Sequence, residues 1–153
     1  MRTADALAAG AEDTVRRGFE LSYAAFNRRD WELNTLLLDP DDYVFLAGDL
    51  REALPDARDR YFGIAGYLEA MFLFLESWSE LEVKLMDLLD LDRERAVTLM
   101  RFNGRGQRSG LAFDQLAVGE HTFRDGLCVT QTYWWDSHRA ASELGLQLPS
   151  TRR

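Results

Sequence analysis

Residues 111–135 read LAFDQLAVGEHTFRDGLCVTQTYWW, and this stretch decides the fold. Phe123 and Leu127 flank Arg124-Asp125-Gly126, two apolar ends around a turn closed by glycine. A three-residue loop with glycine in the left-handed position joins two antiparallel strands. This turn pairs Phe123 with Leu127, His121 with Val129, Gly119 with Gln131, Ala117 with Tyr133 and Gln115 with Trp135. All are odd-numbered, so they share one face. Small residues opposite large ones leave room there for a ligand or a packed helix. The even face sets Leu116, Val118, Glu120 and Thr122 against Cys128, Thr130, Thr132 and Trp134.

The same period of two runs upstream. Leu81, Val83, Leu85, Leu89 and Leu91 alternate with polar residues, and Asp87 interrupts them where a bulge would turn it to solvent. Residues 95–103 form a further strand, followed by a glycine-rich turn over 104–110. Before the strands the period is helical. Val15, Phe19, Ser22 and Phe26 mark a helix over 11–28, and Asp30 caps a short second one carrying Trp31 and Leu33. Asp39-Pro40 ends it, Tyr43 to Ala47 reads as a short strand, and residues 48–60 read as a polar loop. Gly63 to Trp78 reads as a third helix. Asp136 or Ser137 caps a last helix that ends near Gly145. Helices grouped ahead of an antiparallel meander define an α+β fold. A meander of long strands must curl, and helices in its hollow give a cone with an open mouth. The expected organisation is a tail over 1–10, one domain over 11–146 and a second tail over 147–153.

Composition narrows the function. The 153 residues, 46% hydrophobic, suffice for one core and are too few for two ordinary domains. A net charge of −8 excludes nucleic acid as a main partner and disfavours an anionic membrane. Residues 30–94 hold 17 acids against five bases, whereas residues 95–153 hold eight bases against five acids. The hairpin therefore belongs to the less acidic part. No apolar run reaches the ~18 residues of a membrane span. Cys128 is the only cysteine, so no internal disulfide forms, and a cytoplasmic protein is expected. One lysine against 17 arginines fits a GC-rich, bacterial genome.

Several segments in order resemble a known family: Phe26-Asn27-Arg28-Arg29-Asp30, Leu38-Asp39-Pro40-Asp41, Tyr61-Phe62-Gly63, Gly104-Arg105-Gly106, Thr122-Phe123-Arg124-Asp125-Gly126, Tyr133-Trp134-Trp135-Asp136 and Glu143-Leu144-Gly145-Leu146. Together they resemble the SnoaL-like polyketide cyclase domains of the NTF2-like (ketosteroid isomerase-like) superfamily. The resemblance implies a cystatin-like α+β cone with a curved sheet around N-terminal helices. It does not imply one activity, since the superfamily holds isomerases, cyclases, dehydratases, epoxide hydrolases and non-catalytic binders. The isomerase pattern itself is missing. Its tyrosine position falls on Ser22, beside Tyr23, its base on Ala47 and its second acid near Gly119. Where many relatives carry tryptophan ahead of the turn, this chain has His121.

The candidate site follows. His121, directed inward, is the candidate proton carrier, because an imidazole titrates near neutrality; the alternative is a hydrogen-bonded histidine in the wall. Tyr133 and Gln131 would hold a carbonyl or hydroxyl. Phe19, Tyr23, Phe26, Phe102, Phe113, Gln115 and Trp135 would complete an apolar, aromatic pocket, although such residues more often make core. No metal or cofactor is expected, since the only other histidine is His138. Leu116, Val118 and Trp134 on the even face suggest a homodimer packed through the outer sheet. Cys128 is expected on that outer face. The leading reading is a small-molecule-binding domain. The alternatives are an acid–base enzyme acting on a ketone through His121, and a non-catalytic interaction module whose side chains fill the cavity.

Overall fold

The computed structural model describes residues 3–54 and 56–149. In chain order the elements are α1 (Thr3–Asn27), α2 (Trp31–Asn34), β1 (Val44–Leu46), α3 (Leu50–Ala53), β2 (Arg60–Phe62), α4 (Gly63–Leu75), β3 (Trp78–Leu91), β4 (Arg95–Gly106), β5 (Ala112–Arg124), β6 (Leu127–Trp134) and α5 (Ser137–Leu144). The six strands form one sheet in the order β2-β1-β6-β5-β4-β3. The fold class is α+β, as the sequence pattern required. The meander β3 to β6 is antiparallel throughout, while β1 joins its edge parallel to β6, with Phe45 beside Gln131.

Local signals placed most of these elements. Asp30 caps α2 by accepting from the Leu33 amide, and Asp136 caps α5 by accepting from the His138 and Arg139 amides. Gly145 ends α5 at φ 67°, a left-handed position that suits glycine. Asp87 sits at a register shift of β3, half-buried and 3.7 Å from Arg16. Helix α1 starts at Thr3, within the segment expected as a tail, where alanines favour helix. Residues 1, 2 and 150–153 of the expected tails lie outside the described residues.

The hairpin itself is a correction. Its loop has two residues, Asp125 and Gly126, at φ 53° and 81°, the positive values that a type I′ turn demands. Arg124 therefore pairs with Leu127 and Phe123 with Cys128. Such a turn alone would set odd residues against even ones. A register shift between Thr122 and Phe123 adds one residue, so Thr122 pairs with Thr130, His121 with Gln131 and Gly119 with Tyr133. Every pair above the bulge is displaced by two from expectation, and a displacement of two keeps the face. Below the bulge the face changes. Cys128, expected outside, is buried in the inner core beside Leu38 and Tyr43, and burial pushes its thiol up to about 12.

Two more expectations fail for local reasons. The polar segment 48–60 contains α3 and the start of β2, elements of four and three residues that are too short to show a period. Helix α4 stops at Leu75, and Trp78 opens β3 instead of closing the helix.

The curved sheet has two apolar layers. Inside lie Phe26, Tyr43, Phe45, Tyr67, Met71, Phe74, Met100 and Phe102, against α1 and α4. Outside, Val97, Leu99 and Val118 are covered by Ala140 and Leu144 of α5 and by Leu146 and Leu148 beyond it. Val118 is fully buried by this chain's own C-terminal segment, so it cannot meet a second copy. Leu116 and Trp134 are half-buried in the same cluster. The outer face also carries ion pairs: Arg95 bridges Asp90 and Glu120 at 2.9 and 2.8 Å, and Arg101 pairs with Asp114. Among the described residues no helix is long and apolar enough to cross a membrane.

Candidate functional site

The hollow of the cone closes around a small cavity. Tyr23 and Phe26 reach it from α1, Tyr67, Met71 and Phe74 from α4, Met100 and Phe102 from β4, and Tyr133 and Trp135 from β6 and its end. Asn34, Leu50, Val83 and Ala117 complete the lining. Among the described residues no lining residue is an acid, a base or a histidine. The cavity leaves about 20 Å³ for the centre of a water molecule to move in, which is room for one water.

Its polar groups are phenols and one amide. The Tyr67 hydroxyl donates to Asn34 Oδ1 at 2.7 Å, and Asn34 Nδ2 donates to the Ser22 carbonyl at 3.0 Å. The Tyr23 hydroxyl lies 3.1 Å from Thr98 Oγ1. Burial raises the pKa of all three phenols, Tyr23, Tyr67 and Tyr133, so each keeps its proton. The Tyr133 hydroxyl alone among them has no hydrogen-bond partner among the described residues.

Behind the cavity runs a chain of hydrogen bonds. The Tyr43 hydroxyl donates to Gln131 Oε1 at 2.5 Å. That fixes the amide so that Gln131 Nε2 donates to His121 Nδ1 at 2.9 Å. The ring proton then sits on Nε2, which donates to Thr98 Oγ1 at 3.3 Å. Thr98 passes the chain to Tyr23. His121 is fully buried, with Phe19 against its ring at 4.7 Å and Tyr133 at 6.1 Å. Desolvation pushes its pKa down to about 3, and no charged neighbour opposes this. The imidazole is therefore a neutral link in the wall. Gly119 makes the approach of His121 to Thr98 feasible: a Cβ there would stand 2.7 Å from His121 Nε2 and 2.9 Å from Thr98 Oγ1.

The residues singled out in the sequence thus divide. Tyr23, Phe26, Phe102, Tyr133 and Trp135 line the cavity. His121, Gln131 and Phe19 form the layer behind it. Gln115 holds the wall's end, donating to the Trp135 carbonyl at 2.7 Å. Phe113 lies at the mouth, stacked on Trp78 with ring centres 4.2 Å apart and planes at 21°. Sequence reasoning missed Tyr67, Met71, Phe74 and Trp78 as site residues. The helical period puts Tyr67 and Met71 on the apolar side of the third helix and does not single out Phe74; only the tertiary fold aims all three into the hollow. Asp49 is also buried at this end, yet its carboxylate is taken up by the Trp135 and Asp136 amides at 2.6 and 2.9 Å. It pins the end of β6.

At the mouth, Trp78 touches Phe74 at 6.0 Å and Trp135 at 6.2 Å, both of them lining residues. Among the described residues its buried indole Nε1 has no partner, and neither has that of Trp134 in the outer layer. An unpaired buried donor costs about 1–3 kcal/mol. On the outer side of Trp78 lies a surface groove of about 520 Å³, between the end of α4 and the turn from β4 to β5. Among the described residues no cluster of three histidine, cysteine or carboxylate groups is placed to hold a metal ion.

The curved sheet wrapped around helices is the fold of solved NTF2-like, ketosteroid isomerase-like and cystatin-fold proteins. TerC, co-crystallised with polyporic acid, superimposes with a TM-score of 0.68 at 17% identity, over 82% of this chain and 94% of that one. An NTF2-like protein of unknown function from Burkholderia pseudomallei gives 0.67 at 19% identity, over 82% and 93%. A SnoaL-like polyketide cyclase homologue from Jannaschia gives 0.57 at 16% identity, over 78% and 80%. No family model and no curated protein matches the chain by sequence.

Proposed function

We propose that the protein is a small-molecule-binding domain that takes a flat, apolar ligand bearing an oxygen acceptor into the hollow of the cone. The observation that carries this reading is the Tyr133 hydroxyl. It is a protonated donor without a protein partner, set in an otherwise aromatic cavity. Polar groups in such pockets are few, and they orient the ligand. That TerC was co-crystallised with polyporic acid supports a binding role for this fold. The absence of a carboxylate or imidazole from the lining favours binding over acid–base catalysis. In the catalytic alternative His121 would carry a proton, and a neutral ring with both nitrogens engaged inside the wall does not support that role.

The test uses two tricyclic probes of one shape, 9-fluorenone with a carbonyl and fluorene without it. Fluorenone should bind about five-fold tighter, the worth of one net hydrogen bond. Tyr133→Phe should abolish the difference. Failure of both probes to bind, with no small molecule retained in native mass spectrometry, would leave a domain whose own side chains fill its cavity and would reject the proposal.

A further inference from the structure

We propose that the surface groove beside α4 is the outer half of the ligand site, and that Trp78 is the residue a ligand displaces to reach the inner cavity. This rests on the binding role proposed above and names the route and the shape of what binds. The closed cavity holds one water, far too little for any tricyclic molecule, whereas the groove has about 520 Å³. Trp78 faces the groove on one side and packs on Phe74 and Trp135, which line the cavity, on the other.

Its backbone position suits a movable part. Trp78 is the first residue of β3, an edge strand, and a register shift separates it from Glu80. Its side chain is held by ring contacts, and its indole N–H makes no hydrogen bond among the described residues. Turning outward would bring that N–H to water or to an acceptor on the ligand, so the closed position forgoes a hydrogen bond that the open one makes. The near-parallel stack on Phe113 sets the ligand's shape. When Trp78 leaves, it frees the flat face of Phe113, and a planar molecule replaces it with least loss of contact. Asp56, Glu76, Gln107, Arg108 and Ser109 of the groove lining give polar and charged groups to the ligand's outer end.

Stopped-flow quenching by 9-fluorenone tests this, with Trp135 left in every variant as the reporter in the cavity wall. For the native chain the observed rate should saturate as fluorenone increases, at the rate of Trp78 opening. In Trp78→Ala the saturation should vanish, and the rate should exceed the native plateau at least ten-fold. A native rate that rises linearly and is unchanged in Trp78→Ala would overturn the gate while leaving ligand binding intact. Absence of binding to both proteins would overturn the binding role and the gate with it. Should Trp78→Ala fail to fold, the native chain labelled with 5-fluorotryptophan replaces it, with the Trp78 resonance assigned through Trp78→Phe. Fluorenone should shift that resonance by more than those of Trp31 and Trp134. A shift confined to Trp135 would refute the displacement.

Discussion

The two ends of the hollow are built differently. At the closed end, Tyr43, Gln131, His121, Thr98 and Tyr23 form one hydrogen-bonded chain in which each buried polar side chain has a partner. At the mouth, Phe74, Trp78, Phe113 and Trp135 meet through their rings, and the Trp78 indole N–H has no partner among the described residues. A fully satisfied buried network fixes one arrangement of its members, because any shift leaves a donor or acceptor dry. Ring contacts are less directional and tolerate sliding. The closed end is thus the rigid reference, and the mouth is where shape can change at small cost.

Removing His121 should break this contrast most. His121→Ala empties a fully buried site, leaves Gln131 Nε2 without its acceptor and leaves Thr98 Oγ1 with Tyr23 alone, so it should cost about 3–4 kcal/mol in chemical denaturation. Fluorenone binding should survive in the fraction that folds, because His121 does not line the cavity. Gly119→Ala should come next, at about 2 kcal/mol. Its Cβ would drive apart the His121 and Thr98 contact without touching the mouth.

Acid should act at the same end. The folded pKa of His121, about 3, lies below its unfolded value of about 6.5, so the unfolded chain binds the extra proton between them. Stability from this group is complete above pH 7 and falls as pH drops through 6.5 toward 3. Between pH 7 and pH 5 the native chain should lose about 2 kcal/mol more than His121→Gln. Equal slopes for the two proteins would mean that the imidazole is hydrated in the fold. The smallest effect belongs to the mouth. Trp78→Phe removes ring area but also an unpaired N–H, and these opposing effects should leave stability within about 1 kcal/mol. A loss there as large as that of His121→Ala would erase the distinction between the two ends.

Much of the wall was legible from residue pattern alone. His121, Gln131 and Tyr133 point inward as the odd-numbered face of the hairpin requires, even though the turn has two residues instead of three. The bulge between Thr122 and Phe123 restores the parity that the shorter turn would have reversed. Cys128 lies beyond the bulge, and there the same reading places it on the wrong face. Val118 shows a second limit. Its apolar character is plain in the sequence, but whether a second chain or the C-terminal segment covers it depends on where α5 docks. Trp78 shows a third, since a tryptophan at helical spacing after Leu75 reads as one more turn until the strand claims it.

By itself the sequence determined the α+β class, the helix caps, the meander and the alternation that turns aromatic and polar residues into one hollow. These follow from periods, caps and turns, which act over a few residues. The tertiary structure alone decided the role of that hollow's parts. Burial made His121 a neutral link, converging helices brought Tyr23, Tyr67 and Tyr133 to one cavity, and the start of an edge strand set Trp78 across its mouth. Such outcomes depend on which distant groups meet and how much water they exclude, and neither quantity is written in any local stretch of chain.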